Sequence, residues 1–505
     1  MAYAEKRGKG PKPWRVKYKR PDGSEASESG FESKKAALTW GRDQEGDIRQ
    51  GRWTDSAAGK ITVGEWADRW KSLQDVALST DALREHLLTH FILPAWSARS
   101  LGSLTTEEIM RWENELPAKT GISPRTAEMA RSLLSTILGD ATITRPPLIP
   151  HNPGLLQRNR GKRTGRRMSR SRKRAWATPL EALLVAERAA LMSESDQEFV
   201  FLIMLAYTGM RWAEGIGLEQ EHLLLPLINV EWQLHEIKGR FYRLPPKDDS
   251  YRSTNWDPHL PVDLPPFLSD LLSQQVMTHA DRQCHCVSAH GGTGRYVFLT
   301  NDGGHHRRSN YSRRVFRPAV DGRYRPTAKG QPGRLIVADT TQWPGRPVAA
   351  WAPAEPGVAF TAPHGRGIRR LPDDMPLSCW LTVRPGLTPH GLRHSQKTWM
   401  AEDSIPEIVQ ALRLGHTVPG MRGVYTHVSD TMRDELKQAL QARWEASLLD
   451  RAAISPRSPV PVLDGLLAPY RGPREKMISQ NSSQRRARGH RPNRVGVSHH
   501  PSDLA

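Results

Sequence analysis

The stretch from Thr388 to Asp430, TPHGLRHSQKTWMAEDSIPEIVQALRLGHTVPGMRGVYTHVSD, constrains the chain more than any other. Thr388 supplies an N-cap and Pro389 a first-turn residue that needs no N–H partner, so a helix opens there. His390 and Arg393 then stand three apart on one face and can converge on a single anion. Ser404 with Glu407 predicts a capping box for a second helix; Ile405, Ile408, Val409 and Leu412 give it an apolar stripe, and Gly415 ends it. His416 sits just past that end. A loop through Pro419-Gly420 leads to Tyr425, and a further helix is expected over Thr431 to Leu448.

A chain of 505 residues exceeds what one hydrophobic core serves, so several domains are expected, one of them large. Lys and Arg outnumber Asp and Glu by 73 to 53, a net charge of +20 that favours a polyanionic partner, nucleic acid ahead of an anionic membrane surface. No apolar run approaches the roughly 20 residues of a membrane span, and the start MAYAEKRGKG lacks the apolar centre of a signal peptide. Three cysteines cannot build a disulfide framework. A cytoplasmic, nucleoid-associated protein is the expectation, with no membrane partner.

Residues 1 to 55 read as a small module: Trp14 to Tyr18 alternates, Pro21-Asp22-Gly23 turns, and a second strand precedes a helix starting near Ser33. Lys12, Arg15, Lys17, Lys19 and Arg20 make the first strand basic, either a sheet face for a DNA groove or a solvated edge strand protected by its lysines. Residues 59 to 155 read as helical. Thr62 with Glu65 and Thr105 with Glu108 are capping boxes, Ser123-Pro124 is a cap, and Trp66, Trp70, Leu73, Ile109, Trp112, Leu133, Leu134 and Ile137 are the expected core.

Residues 156 to 177 form a basic linker, with Arg158, Arg160, Lys162, Arg163, Arg166, Arg167, Arg170, Arg172, Lys173 and Arg174 and no acid among them, suited to lying along phosphates or to serving as an inert hinge. A larger domain, 178 to 450, follows. Ser195 with Glu198 predicts a box opening an apolar helix that Thr208-Gly209 ends, and Arg211 follows near the next helix start, placed for an anion or paired with Glu214. Val230 to Ile237, Arg240 to Leu244 and His259 to Val262 read as a small antiparallel sheet, with Lys247 in the turn after Pro245-Pro246.

Cys284, Cys286 and His290 are conceivable metal ligands, but their spacing is not the usual one and no fourth ligand is near, so no metal is assigned. Tyr296 to Leu299 reads as a strand, and Arg307 to Arg317 opens a helix. Residues 322 to 386 are dense in Pro and Gly with almost no periodicity and are taken as an insertion. The basic tail, 451 to 505, is expected to be disordered.

Each residue type of the opening stretch suits attack on a phosphodiester. A tyrosine hydroxyl can form a covalent phosphoryl intermediate that conserves bond energy for rejoining. Arginines bind non-bridging oxygens bidentately as charge builds. Histidine moves a proton near neutral pH, and lysine can protonate a leaving oxygen. The arrangement asks for no metal and no cofactor.

With Thr208-Gly-Met-Arg211, His390-Gly-Leu-Arg393-His394, Leu414-Gly-His416 and Tyr425 in order, the chain resembles the tyrosine recombinases, the phage-type integrases, from about residue 60 to 445. The long segment before His390-Gly-Leu-Arg393 resembles integrases of actinobacterial mobile elements. The resemblance implies a multidomain, mostly α protein: a helical core-binding domain (59 to 155), an α+β catalytic domain of the DNA breaking-rejoining type (178 to 450), and a small N-terminal β-rich arm-type module (1 to 55). It places the active site on Arg211, Lys247, His390, Arg393, His416 and the nucleophile Tyr425; the neighbouring His394 and His427 are read as lying behind the site or as structural. It also implies a 3′-phosphotyrosyl intermediate, double-stranded attachment sites as substrate, a homotetramer on DNA, and an excisionase or host DNA-bending factor as accessory. Two other readings stay open: a non-cleaving architectural or regulatory DNA-binding protein of the same fold, and type IB topoisomerase-like relaxation.

Overall fold

The computed structural model describes residues 2–50, 58–155, 174–246, 261–284, 287–288, 294–326, 333–339, 351–353, 360–361, 377–416 and 428–471. Lys247, Cys286, His290, Tyr425 and His427, the linker before Arg174 and the tail beyond Arg471 lie outside them. The chain divides into two compact units, Met1–Arg166 and Arg167–Ala505.

In the first unit, β1 (Tyr3–Lys6), β2 (Trp14–Lys19) and β3 (Glu25–Phe31) pair antiparallel in that order, and α1 (Lys34–Arg49) follows its Ser33 cap. The basic strand is therefore central, not an edge: β1 takes its free side, Arg15 pairs with Glu5, and Val16 and Tyr18 are buried.

The helical part runs α2 (Val63–Ser72), α3 (Leu78–Leu87), α4 (Leu93–Trp96), α5 (Thr106–Thr120) and α6 (Pro124–Ile143). Both expected capping boxes form, and Ser123 caps α6. Trp66 and Trp70 reach across the core to α6, their indole N–H groups donating to the Ile137 carbonyl (2.9 Å) and the Asp140 carboxylate (2.6 Å). Such partners let large amphipathic rings sit inside. Leu73 does not join them. It falls on the C-cap of α2, past the buried face, and is 77% exposed.

The second unit is organised around α8 (Asp196–Thr208), buried from Gln197 onward and flanked by α7 (Pro179–Ser193). A helix apolar all round belongs in the middle of a core. The expected Ser195 box is absent because Glu198 turns inward to His306, 2.9 Å away. Beyond α9 (Trp212–Ile216) come β4 (Leu223–Leu224), β5 (Leu227–Ile228), β6 (Gln233–Ile237), β7 (Arg240–Leu244), β8 (Val262–Asp263) and β9 (Val287–Ser288). Rather than one sheet they form two: β8 pairs with β5, while β7 lies between β6 and β9. Tyr296 to Leu299 is a buried extended segment carrying a single bridge, Tyr296 to Glu219, instead of a strand.

After α10 (Pro266–His279), α11 (Arg308–Tyr311) continues through a π turn (Ser312–Phe316) into α12 (Arg317–Asp321). The segment read as patternless insertion then contributes a sheet, β11 (Trp351–Pro353), β13 (Leu377–Trp380), β10 (Leu335–Asp339) and β12 (Phe360–Thr361) in spatial order. These strands are short and widely spaced, so their pairing leaves little periodicity to read.

The chain ends with α13 (Pro389–Glu402), α14 (Glu407–Leu414), α15 (Asp430–Ile454) and α16 (Pro461–Leu467). Ser404 caps nothing. It takes φ +58° in the closing turn of α13, where Ile405 N–H donates to the Met400 carbonyl, and Pro406 is the residue before α14. Residues 451 to 471 are not a disordered tail either: Val460, Leu463 and Leu467 are core residues, and Arg451 is wholly buried in an ion pair with Glu187.

Candidate functional site

The site is assembled where α8 stops. Gly209 ends it in the left-handed conformation (φ +71°), and a Cβ there would fall 2.6 Å from Leu414 Cδ2. Only glycine lets the segments carrying Gln396 and Leu414 approach so closely. Met210 turns into the core, and Arg211 becomes the residue before α9. Its backbone N–H donates to Glu214 Oε2 (2.7 Å) and its Nη1 to Oε1 (2.8 Å), with Glu214 wholly buried. The pairing with Glu214 is thus present, and it holds the guanidinium at the rim of a cleft that Arg211 also lines.

Thr388 Oγ1 accepts from Gly391 N–H (3.0 Å), which opens α13 as the sequence predicts. One turn on, Arg393 is 4% exposed and joins the separate segments: Nη1 donates to the Gly209 carbonyl (2.6 Å), and Nη2 donates to the Leu414 carbonyl and to His416 Nε2 (3.0 Å). A buried guanidinium requires such partners. His390 stacks edge-on against His394 with ring centroids 5.0 Å apart, and His394 Nε2 meets Arg174 Nη1 at 3.0 Å.

Burial, then the charges of His394, Arg393, Arg174 and Arg211, push the His390 pKa down to about 4. His394 is lowered as well, by burial first and then by Arg174, Arg393 and Lys397. Both shifts come first from burial and then from the cations around the two rings.

Arg211, Thr388, Pro389 and His390 line a cleft of about 810 Å³ whose wall also carries Arg308, Arg313, Arg317 and Arg325. The lining acid Glu236 is paired with Arg307. The sequence marked the run from Arg307 to Arg317 only as a helix start, and nothing in it signalled that these arginines face His390. Arg211, His390, Arg393 and His416 are brought together; Lys247 and Tyr425 fall outside the described residues. Of the conceivable metal ligands, Cys284 is buried and its two companions are not described. Glu219, Glu221 and His222 also cluster, but Arg243 already binds both Glu219 oxygens at 2.8 Å, so a cation occupies that place.

No family model matches the chain, and no curated protein matches it. Among solved structures, it is similar to the Tn1549 transposon integrase in complex with a circular intermediate DNA, at 16% identity and a TM-score of 0.48 over 75% of this chain and 99% of that one. It is similar to a lambda integrase tetramer bound to a Holliday junction at 14% identity and a TM-score of 0.40, covering 82% of this chain and 92% of that one. For XerA recombinase the values are 16% and 0.27, over 74% and 95%.

Proposed function

We propose that the chain is a tyrosine recombinase that cuts and rejoins double-stranded DNA at specific sites. The observation that carries this is the meeting of Arg211, His390, Arg393 and His416, from segments far apart in sequence, beside a cleft walled by arginines. Glu214 holds only Arg211, and the set as a whole is rich in donors, which suits an anion on which further charge builds during reaction.

In this reading the Tyr425 hydroxyl attacks the scissile phosphorus. An O–P bond to tyrosine forms as the bond to the 5′-oxygen breaks, leaving a 3′-phosphotyrosyl link and a free 5′-hydroxyl. His390 accepts the tyrosine proton, His416 is held in place by Arg393, Lys247 gives a proton to the leaving oxygen, and Arg211 and Arg393 hold the non-bridging oxygens. Attack by a 5′-hydroxyl from a second duplex reverses the steps and exchanges strands. Residues 59–155 grip the core site, residues 178–450 carry the chemistry, residues 1–55 bind arm sites, and four copies act together. An excisionase or a host DNA-bending factor sets the direction.

The test is a nicked suicide duplex carrying the attachment site, found beside the gene. The protein should be trapped covalently on the 3′-phosphate end left by the cut, and Tyr425→Phe should form no adduct. Absence of the adduct from the unmutated protein, or an undiminished one in Tyr425→Phe, sinks the proposal.

A further inference from the structure

Residues 322–386 are unused by the chemistry above, yet they are fastened to the wall of the cleft. The insertion leaves α12 at Gly322 (φ +68°), where an added Cβ would fall on the Trp380 carbonyl. Backbone bonds close this seam: Ile336 N–H donates to the Gly322 carbonyl (3.0 Å) and Val383 N–H to the Val320 carbonyl (2.8 Å). Thr382 Oγ1 adds a bond to the Asp321 carbonyl (3.1 Å). Beneath it, the Arg188 guanidinium lies 4.8 Å from the buried Trp380 ring and donates to the carbonyls of Ala319 (3.0 Å) and Leu381 (2.8 Å). A single buried cation thus ties the end of the arginine-bearing helix to the returning strand.

This attachment places charge. Arg325, in the first turn of chain beyond Gly322, lines the same cleft as Arg308, Arg313, Arg317 and His390. Among the described residues, the side chains of Arg308, Arg317 and Arg325 have no hydrogen-bond or ion-pair partner, and that of Arg313 has only the Asn310 side-chain oxygen (3.2 Å). Arg323, also exposed, is not part of the lining. The lining carboxylate, Glu236, is taken by Arg307, and holding the remaining like charges together is unfavourable unless a ligand of opposite sign completes the site.

We propose that the insertion is a built-in extension of the DNA-binding cleft, in which Arg325 and Arg317 bind the backbone of the duplex at phosphates other than the scissile one. The ligand rests on the recombinase reading; the rail of arginines rests on the geometry. Its effect is to lengthen the electrostatic footprint of the catalytic unit, adding affinity that does not depend on base sequence.

The experiment measures equilibrium binding of the full-length Tyr425→Phe protein to attachment-site duplex across a salt series, so cleavage plays no part. The slope of log affinity against log salt should fall in magnitude by about 1 when Arg325→Gln is added, and by about 2 with Arg317→Gln as well. Arg323→Gln, the same change in charge two residues away, should leave the slope unaltered. Equal slopes for Arg325→Gln and Arg323→Gln overturn the proposal. If the parent does not bind duplex DNA, the recombinase reading fails and takes this one with it. Binding with the expected slopes but no covalent adduct from the unmutated protein defeats only the chemistry and upholds the insertion's contact.

Discussion

Arg393 donates through Nη2 to His416 Nε2 across 3.0 Å. A guanidinium has only donors, so Nε2 is the accepting nitrogen and carries no proton while this bond is made. The arginine therefore sets both where His416 stands and which of its nitrogens is free of hydrogen, and it does so while bracing the Gly209 and Leu414 carbonyls.

Arg393→Lys is expected to damage function and fold separately. A point charge cannot meet three acceptors in a fixed fork. Adduct formation should fall by about 100-fold or more, and unfolding free energy by roughly 1–3 kcal/mol as buried carbonyls lose their partner. Single-turnover trapping at a temperature where the variant is fully folded separates the two. A purely structural arginine would leave that trapping rate unchanged.

The His390 pKa lies near 4 in the folded protein, pushed down by burial and then by His394, Arg393, Arg174 and Arg211, against about 6.5 for an unfolded histidine. Between those values the unfolded chain binds more protons. The stability contributed by this group is therefore complete above about pH 6.5 and is lost as pH falls toward 4. Urea titrations over this window should show a shallower pH dependence for His390→Gln than for the unmutated protein. A bound phosphodiester supplies the missing negative charge, so duplex DNA should move the His390 ring titration upward in an NMR experiment; no movement would count against phosphate binding beside it.

Arg451 and Glu187 form a buried ion pair through two bonds, of 2.9 and 2.7 Å, and Ser458 Oγ donates to the same carboxylate at 2.6 Å. Arg451→Met leaves Glu187 buried without its cation, which should cost about 3–5 kcal/mol of unfolding free energy. Adding Glu187→Leu removes the stranded charge and should recover much of that loss. Chemical denaturation of the two variants measures both effects.

Trp380 is among the largest fully buried side chains and seats the insertion. Trp380→Ala should destabilise the second unit by about 3–5 kcal/mol through the cavity it leaves. Trp380→Phe should lose less, since it keeps a ring against Arg188. Limited proteolysis should cut Trp380→Ala earliest within residues 322–386; an unchanged digestion pattern would show that the insertion is held by something else.

What the sequence determined by itself is what four or five neighbouring residues can settle. The caps at Thr62, Thr105, Ser123 and Thr388, and the stops at Gly209 and Gly415, form as their residue types dictate, because each closes hydrogen bonds within a turn of helix. Tertiary structure decided wherever a distant partner competed. Glu198 abandons its box for His306, and Ser404 is drawn into the end of α13. Arg451 and Val460 find partners that no local pattern announces. The same holds for the site: the order of Arg211, His390, Arg393 and His416 could be read along the chain, but the guanidinium that joins Gly209 to Leu414 and His416, and the arginine wall that completes the cleft, exist only once segments far apart are packed together.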